Sequence, residues 1–230
     1  MSAEGFSLEK GEPLEEKTDD LYDEMGSNRR ALILGAGKLD IDGVIDFWQD
    51  YDHVVYVDRS YVETATIAEI EHGFMTEETS ISFYSGDIFE FLDTFKFMFN
   101  IVIAERIFEH MFYDSGEIGR LLDACNQVTT DDGDLTIVVP NANTLSRILQ
   151  NIDQGKSTNQ GGDLLIVNTE FCNTRCDPHG SVWTPELAKI YIEQKEGGTW
   201  KIESIQEIHE HKGRSVYMQI YCKKPQSAIN

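Results

Sequence analysis

Four times in its first half the chain runs through a short apolar stretch that stops abruptly at a glycine or an acid. ALILGAG breaks at Gly35, HVVYVD at Asp58, ISFYSGD at Gly86-Asp87 and NIVIAE, residues 100–105, at Glu105. Apolar runs of this length without strict alternation suit strands covered on both faces, as in a parallel sheet. Between the first two runs, Val44, Phe47, Trp48 and Tyr51 recur at helical spacing. A helix near Tyr61–Gly73, a helix about Ser115–Val128 and a strand DLTIVVP entered by the turn Asp131-Asp132-Gly133 continue the pattern. Strands alternating with helices of ten to fifteen residues are built from βαβ units, so the expected fold class is α/β, a doubly wound, mostly parallel sheet.

The end of the chain changes style. WKIESIQEI and RSVYMQIYC read as two strands joined by HEHKG, an antiparallel hairpin with Gly213 able to supply the turn. Ahead of it, TPELAKIYIEQK begins a helix with Thr184 as N-cap, Pro185 at the first helical position and Glu186 in the first turn. At 230 residues the chain suits one domain able to bury a core without disulfides or metal. Residues 1–28 hold acidic side chains from Glu4 to Glu24 against only Lys10 and Lys17, which predicts a solvated arm. Leu14, Leu21, Tyr22 and Met25 would also permit a short amphipathic helix there. The domain is expected over 29–230, with a polar insertion about 150–181 too long for a plain connection, either a lid over substrate or a disordered excursion.

Charge narrows the partners. Nineteen basic against forty-one acidic side chains give a formal charge of -22, a field that repels duplex nucleic acid and anionic membrane surfaces. An excess of acid is equally a means of staying soluble in concentrated salt. No apolar run approaches the ~18 residues of a membrane span, and the first residues lack a basic patch followed by an apolar stretch, so a cytoplasmic location is expected. Cys125, Cys172, Cys176 and Cys222 are too few and too irregular for a disulfide scaffold. Cys172, Cys176 and His179 spell C-x3-C-x2-H without a second ligand pair, so no metal is expected.

In an open parallel sheet, ligands bind beyond the carboxyl ends of the strands. The strand stops, Gly35-Ala36-Gly37, Asp58, Asp87 and Glu105, therefore outline one pocket. The G-x-G pair allows a tight turn and close approach to main-chain N–H groups. Asp58 stands 21 residues beyond Gly37, where an acid accepts hydrogen bonds from ribose hydroxyls. An adenosine-containing ligand is the reading these residues favour.

LILGAG, VVYVDRS, FYSGDIFEFL and NIVIAERIFEHM resemble successive motifs of class I S-adenosylmethionine-dependent methyltransferases, over roughly residues 30–222. The resemblance implies a Rossmann-like sheet of seven strands, the last two forming the C-terminal hairpin, with S-adenosylmethionine as cofactor. It implies further that Gly35, Ala36 and Gly37 lie under the methionine part, that Asp58 binds the ribose with Arg59 beside it, and that Gly86, Asp87 and Ile88 flank the adenine. Glu105 completes the cofactor set. Two positions depart from the family pattern: Ile33 stands where an acid is common, and Leu39 where a third glycine is expected. Asp40 or Asp42 offers a substitute carboxylate.

Methyl transfer from a sulfonium is an in-line displacement, so the enzyme positions two reactants and, for a hydroxyl acceptor, removes a proton. His110, in a step that resembles small-molecule and quinone-type methyltransferases, is the first candidate base, and His179 in DPHGSVWTPE the second. Either histidine is also the kind that caps a helix or bonds to backbone. VVPNANTLSRIL resembles a further step of the same enzymes, in which Asn141 either contacts substrate or caps the next helix. The Asn/Asp-Pro-Pro-aromatic signature of amino-methylating nucleic-acid enzymes is absent after the fourth strand, where Ala104-Glu105-Arg106 stands. The resulting expectation is a methyltransferase acting on a small molecule, a hydroxyl favoured. The rivals are a non-catalytic protein on the same fold and a NAD-dependent oxidoreductase, against which Asp40 occupies the third position of G-x-G-x-x-G.

Overall fold

The computed structural model describes residues 29–35, 50–59, 80–95, 98–112, 114–156, 179–193, 199–211 and 214–225. Each apolar run folds as a strand: β1 (Arg30–Leu34), β2 (His53–Asp58), β3 (Ser80–Ser85) and β4 (Phe99–Glu105). Helix α1 (Ile88–Thr94) follows β3, and α2 (Glu117–Gln127) follows β4. Then come β5 (Thr129–Pro140), α3 (Ala142–Asp153), α4 (Pro185–Glu193), β6 (Lys201–His211) and β7 (Arg214–Lys223). Among the described residues the sheet has seven strands in the order β3-β2-β1-β4-β5-β7-β6. The first five run parallel, whereas β7 pairs antiparallel with both β5 and β6. The doubly wound α/β sheet with a C-terminal hairpin is thus the observed fold.

Alternation along the strands sorts side chains onto two faces. Leu32, Leu34, Val102, Ala104, Leu135, Ile137 and Val139 meet α1, α2 and α4 through Phe91, Leu121, Leu122, Ala188 and Ile192. On the other face, Val138, Val216 and Tyr217 pack with Leu145 and Ile148 of α3. Trp200, which leads into β6, is buried in the first cluster and donates its indole N–H to the Leu122 carbonyl at 3.0 Å. Burial of an indole with its one donor satisfied adds apolar area without a polar penalty. No described helix is long and apolar enough to cross a membrane.

Local chemistry explains the helix starts. Leu187 N donates to Thr184 Oγ1 at 3.2 Å, the expected N-cap of α4. The Glu186 carboxyl is held below its usual range by a backbone N–H and by the Thr184 hydroxyl. Asn141 caps α3 by accepting from Asn143 N at 3.1 Å, and its amide donates to Glu207 at 3.3 Å. Of the two roles open to Asn141, the cap is therefore filled.

Two boundaries differ from expectation. Strand β5 starts at Thr129, ahead of DLTIVVP, and Asp131-Asp132-Gly133 forms an irregular step inside it rather than a turn before it. A Cβ on Gly133 would lie 2.9 Å from the Asn100 carbonyl oxygen, so the close approach of β4 requires the glycine. The hairpin strands extend to His211 and resume at Arg214, so most of HEHKG belongs to strand. The acidic arm 1–28, the helices through Val44 and over Tyr61–Gly73, residues 157–178, and with them Ala36, Gly37, Leu39, Asp40, Asp42, Cys172 and Cys176 lie outside the described residues.

Candidate functional site

The parallel strands deliver their last residues to one edge of the sheet, and a cleft of about 560 Å³ opens there. Gly35, Asp58, Arg59, Asp87, Ile88, Glu105 and His110 all line it, joined by Arg106, Ile107 and Phe89. The volume falls within the roughly 300–1,000 Å³ typical of small-molecule sites. Residues from the ends of β1, β2 and β4 and from the start of α1 thus converge as the strand stops predict. Gly86 is tied to the same edge by donating its N–H to the Asp58 carbonyl at 3.0 Å.

Each position has a local cause. Gly35 has φ +79°, and a Cβ there would lie 2.3 Å from the Glu105 carbonyl oxygen; glycine lets the ends of β1 and β4 meet. Asp87 caps α1, its Oδ1 accepting from Phe89 N at 2.9 Å and Glu90 N at 3.2 Å. Its Oδ2 lies 3.6 Å from Arg59 Nη2 in a largely exposed pair, worth little in stability. Ile33, where an acid is common in the resembling family, is 5% exposed inside β1, paired with Tyr56 and Ile103. It faces the core rather than a ligand. Arg106 is the one non-glycine described residue at positive φ, 55°. Its N–H donates to Val138 O at 2.8 Å, and its guanidinium stands 5.2 Å over the Tyr217 ring. Backbone held in this region costs of order 1–3 kcal/mol and clusters at functional sites.

A second, smaller cavity of about 80 Å³ adjoins the end of β5, lined by Glu109, Pro140, Ala142, Leu145, His179 and Ser181 among others. The two histidines singled out from sequence come together at its border: the His110 and His179 rings meet edge to face with centroids 5.1 Å apart. A 3-10 turn (Phe108–His110) after β4 carries His110, and the stretch before α4 carries His179. Glu109, not among the site residues expected from sequence, is 1% exposed beside them. One donor atom each from Glu109, His110 and His179 lies within 4.8 Å of the others. The sequence signal that was available, an acid beside a histidine just past a strand end, does not by itself reveal burial.

No protein-family model matches the chain, and no curated protein matches it in sequence. Solved structures do match in shape. A SAM-dependent methyltransferase from Methanosarcina mazei is 13% identical, with 90% of this chain and 98% of that one covered at a TM-score of 0.56. The fold is that of the class I methyltransferases. A Burkholderia thailandensis 1,6-didemethyltoxoflavin-N1-methyltransferase, solved with its substrate and S-adenosylhomocysteine, is 14% identical over 90% of this chain and 76% of that one, TM-score 0.56. A Streptomyces davawensis dimethyltransferase of 8-amino-8-demethyl-D-riboflavin is 17% identical over 91% and 54%, TM-score 0.54. In the methyltransferase fold of this chain, the cleft takes up the strand-end edge from β2 to β4 and the histidine pair stands beside it, next to β5.

Proposed function

We propose that this protein is an S-adenosylmethionine-dependent methyltransferase acting on a small molecule, with a hydroxyl as the favoured acceptor. The observation that carries the reading is the convergence of Gly35, Asp58, Asp87, Ile88 and Glu105 on one cleft that His110 also lines. The residues present suit the cofactor. Asp58, at the end of β2, is an acceptor for ribose hydroxyls, Ile88 and Phe89 offer apolar surface for a base, and the glycine at Gly35 leaves the floor beside Glu105 free of a side chain.

When bound, S-adenosylmethionine supplies a methyl group activated by the sulfonium. The protein's part is orientation and proton removal. Asp58 and the α1 start would hold one reactant, and the imidazoles of His110 and His179, the candidate bases, would bind the acceptor and, where no metal ion does so, assist loss of its proton. The smaller cavity between β5, α3 and the His179 stretch gives the acceptor a place with both apolar and polar walls. A formal charge of -22 further favours a small acceptor over duplex nucleic acid.

Calorimetric titration of the full chain with S-adenosylhomocysteine tests this reading. Micromolar binding is expected, and Asp58→Ala should weaken it roughly tenfold or more, the value of a hydrogen bond to a charged group. No binding at millimolar S-adenosylhomocysteine, or preferential binding of NADH, rejects it.

A further inference from the structure

Glu109, His110 and His179 combine a carboxylate and two imidazoles, with one donor atom of each within 4.8 Å of the others. Bonds of about 2.0–2.2 Å from nitrogen and oxygen to a divalent ion hold neighbouring ligand atoms roughly 3–3.5 Å apart, so rotamer adjustments of about an ångström would close the three groups around one ion. Two histidines and one carboxylate leave coordination positions open, which distinguishes a reactive site from a closed structural one.

The surroundings hold these groups in place. The Glu109 carbonyl accepts from Gly180 N at 2.7 Å and Ser181 N at 3.0 Å. Ser181 Oγ donates to Phe108 O at 2.9 Å, joining positions 73 residues apart, and the Trp183 indole N–H donates to Ser181 Oγ at 2.9 Å. Trp183 is itself buried against Phe108, ring centroids 5.8 Å apart. Gly180 packs so closely that a Cβ would lie 3.0 Å from His110 O. The stretch bearing His179 is thus fastened to the turn bearing Glu109 and His110 by backbone and buried side chains. Glu109 is 1% exposed, so its carboxylate would meet an ion away from bulk water, where their attraction is strongest.

We propose that Glu109, His110 and His179 bind one divalent transition-metal ion at the junction of the cleft and the smaller cavity, with open positions for an oxygen of the methyl acceptor. The ligand set suits zinc, manganese, iron or cobalt rather than magnesium or calcium, which prefer all-oxygen sites. The catalytic part of the proposal rests on the methyltransferase reading; the binding part does not. A metal-bound hydroxyl loses its proton to solvent near neutral pH. The resulting oxygen attacks the methyl carbon, the O–C bond forms as the C–S bond breaks, and the sulfur leaves as a neutral thioether carrying the electron pair. His110 then serves as a ligand, and the proton goes to water rather than to the imidazole.

The test uses the full chain stripped with a chelator and titrated with Zn²⁺ or Co²⁺ by calorimetry, with metal content measured after gel filtration. One ion per chain is expected. Glu109→Gln and His179→Ala should each weaken binding at least tenfold, with circular dichroism confirming the fold, while Cys176→Ser should leave it unchanged. Substoichiometric metal, or loss on Cys176→Ser with retention in Glu109→Gln, overturns the assignment. Binding of S-adenosylhomocysteine is measured on the same stripped protein. If that ligand binds and metal does not, the metal site fails and the methyltransferase reading stands; if metal binds and that ligand does not, the reverse holds. Full methyl transfer by stripped protein in the presence of chelator overturns the catalytic role.

Discussion

The imidazoles of His110 and His179 stand edge to face, ring centroids 5.1 Å apart, although one follows β4 and the other precedes α4. Neither strand register nor helix period brings them together. The agents are the two bonds from Gly180 and Ser181 N–H to the Glu109 carbonyl and the burial of Trp183.

Gly180→Ala should disturb that pairing selectively. Its Cβ would press at 3.0 Å on the backbone of His110 and Met111, a strain worth about 1–3 kcal/mol if the backbone shifts to relieve it. A displacement near 1 Å at reacting groups is enough to lower kcat roughly a hundredfold. Affinity for S-adenosylhomocysteine should fall much less than kcat, since Gly35, Asp58 and Asp87 are untouched and only His110 and Met111 of the cleft wall lie near the added methyl. Calorimetry and steady-state kinetics on the variant check the split; an equal loss of affinity would show that the histidine pair and the cofactor cleft are not separable.

Gly35→Ala should cost more. The residue lies at φ +79° and its Cβ would sit 2.3 Å from the Glu105 carbonyl oxygen. Combined left-handed strain and overlap with backbone destabilise by about 3 kcal/mol or more. Urea unfolding should show a lower midpoint with an unchanged slope. A midpoint equal to the parent's would mean that the β1 and β4 ends are not in contact.

Burial should silence two thiols. Cys125 and Cys222 are both buried, and their thiols are pushed up to about 12, by desolvation first in each case. Since the thiolate is the reactive form, both should resist a disulfide reagent at pH 8 until denaturant is added. Mass mapping of modified peptides distinguishes them from Cys172 and Cys176.

Acid should weaken the fold through His53. The residue is 8% exposed at the start of β2, and burial first, then the nearby Arg30 charge, lowers its pKa. The unfolded chain therefore takes up a proton near pH 6.5 that the native state resists. Stability attributable to this residue is full above that pH and declines as pH falls toward the depressed native value. A His53→Gln variant should show a flatter dependence of melting temperature on pH between about 7 and 5; an unchanged slope would assign the acid sensitivity elsewhere.

Much of the architecture was legible because it follows from local rules. A buried parallel strand needs a continuous apolar run and a break where it leaves the sheet, and the ends of β1, β2, β3 and β4 carry both. The Thr184-Pro185 start of α4 was legible for the same kind of reason. Helix α1 has no counterpart among the elements expected from sequence, where IFEFLDT belongs only to a cofactor step. Asp87 followed by Glu90 in the first turn was the cap signal that could have found it. In β5 the Asp131-Asp132-Gly133 turn signal misled, because pairing with β4 absorbs those residues into the strand.

The sequence alone determined the order of the strands, the hairpin at the end and the set of strand-end residues facing a common edge. Those depend on period and on where apolar runs stop, and each is decided within a few neighbours. Only the tertiary structure decided that Glu109 is buried, that His179 lies beside His110 and that Asn141 is occupied as a cap bonded to Glu207. Such outcomes depend on contacts such as Ser181 to Phe108 across 73 residues. No local pattern encodes which distant backbone a glycine will be small enough to meet.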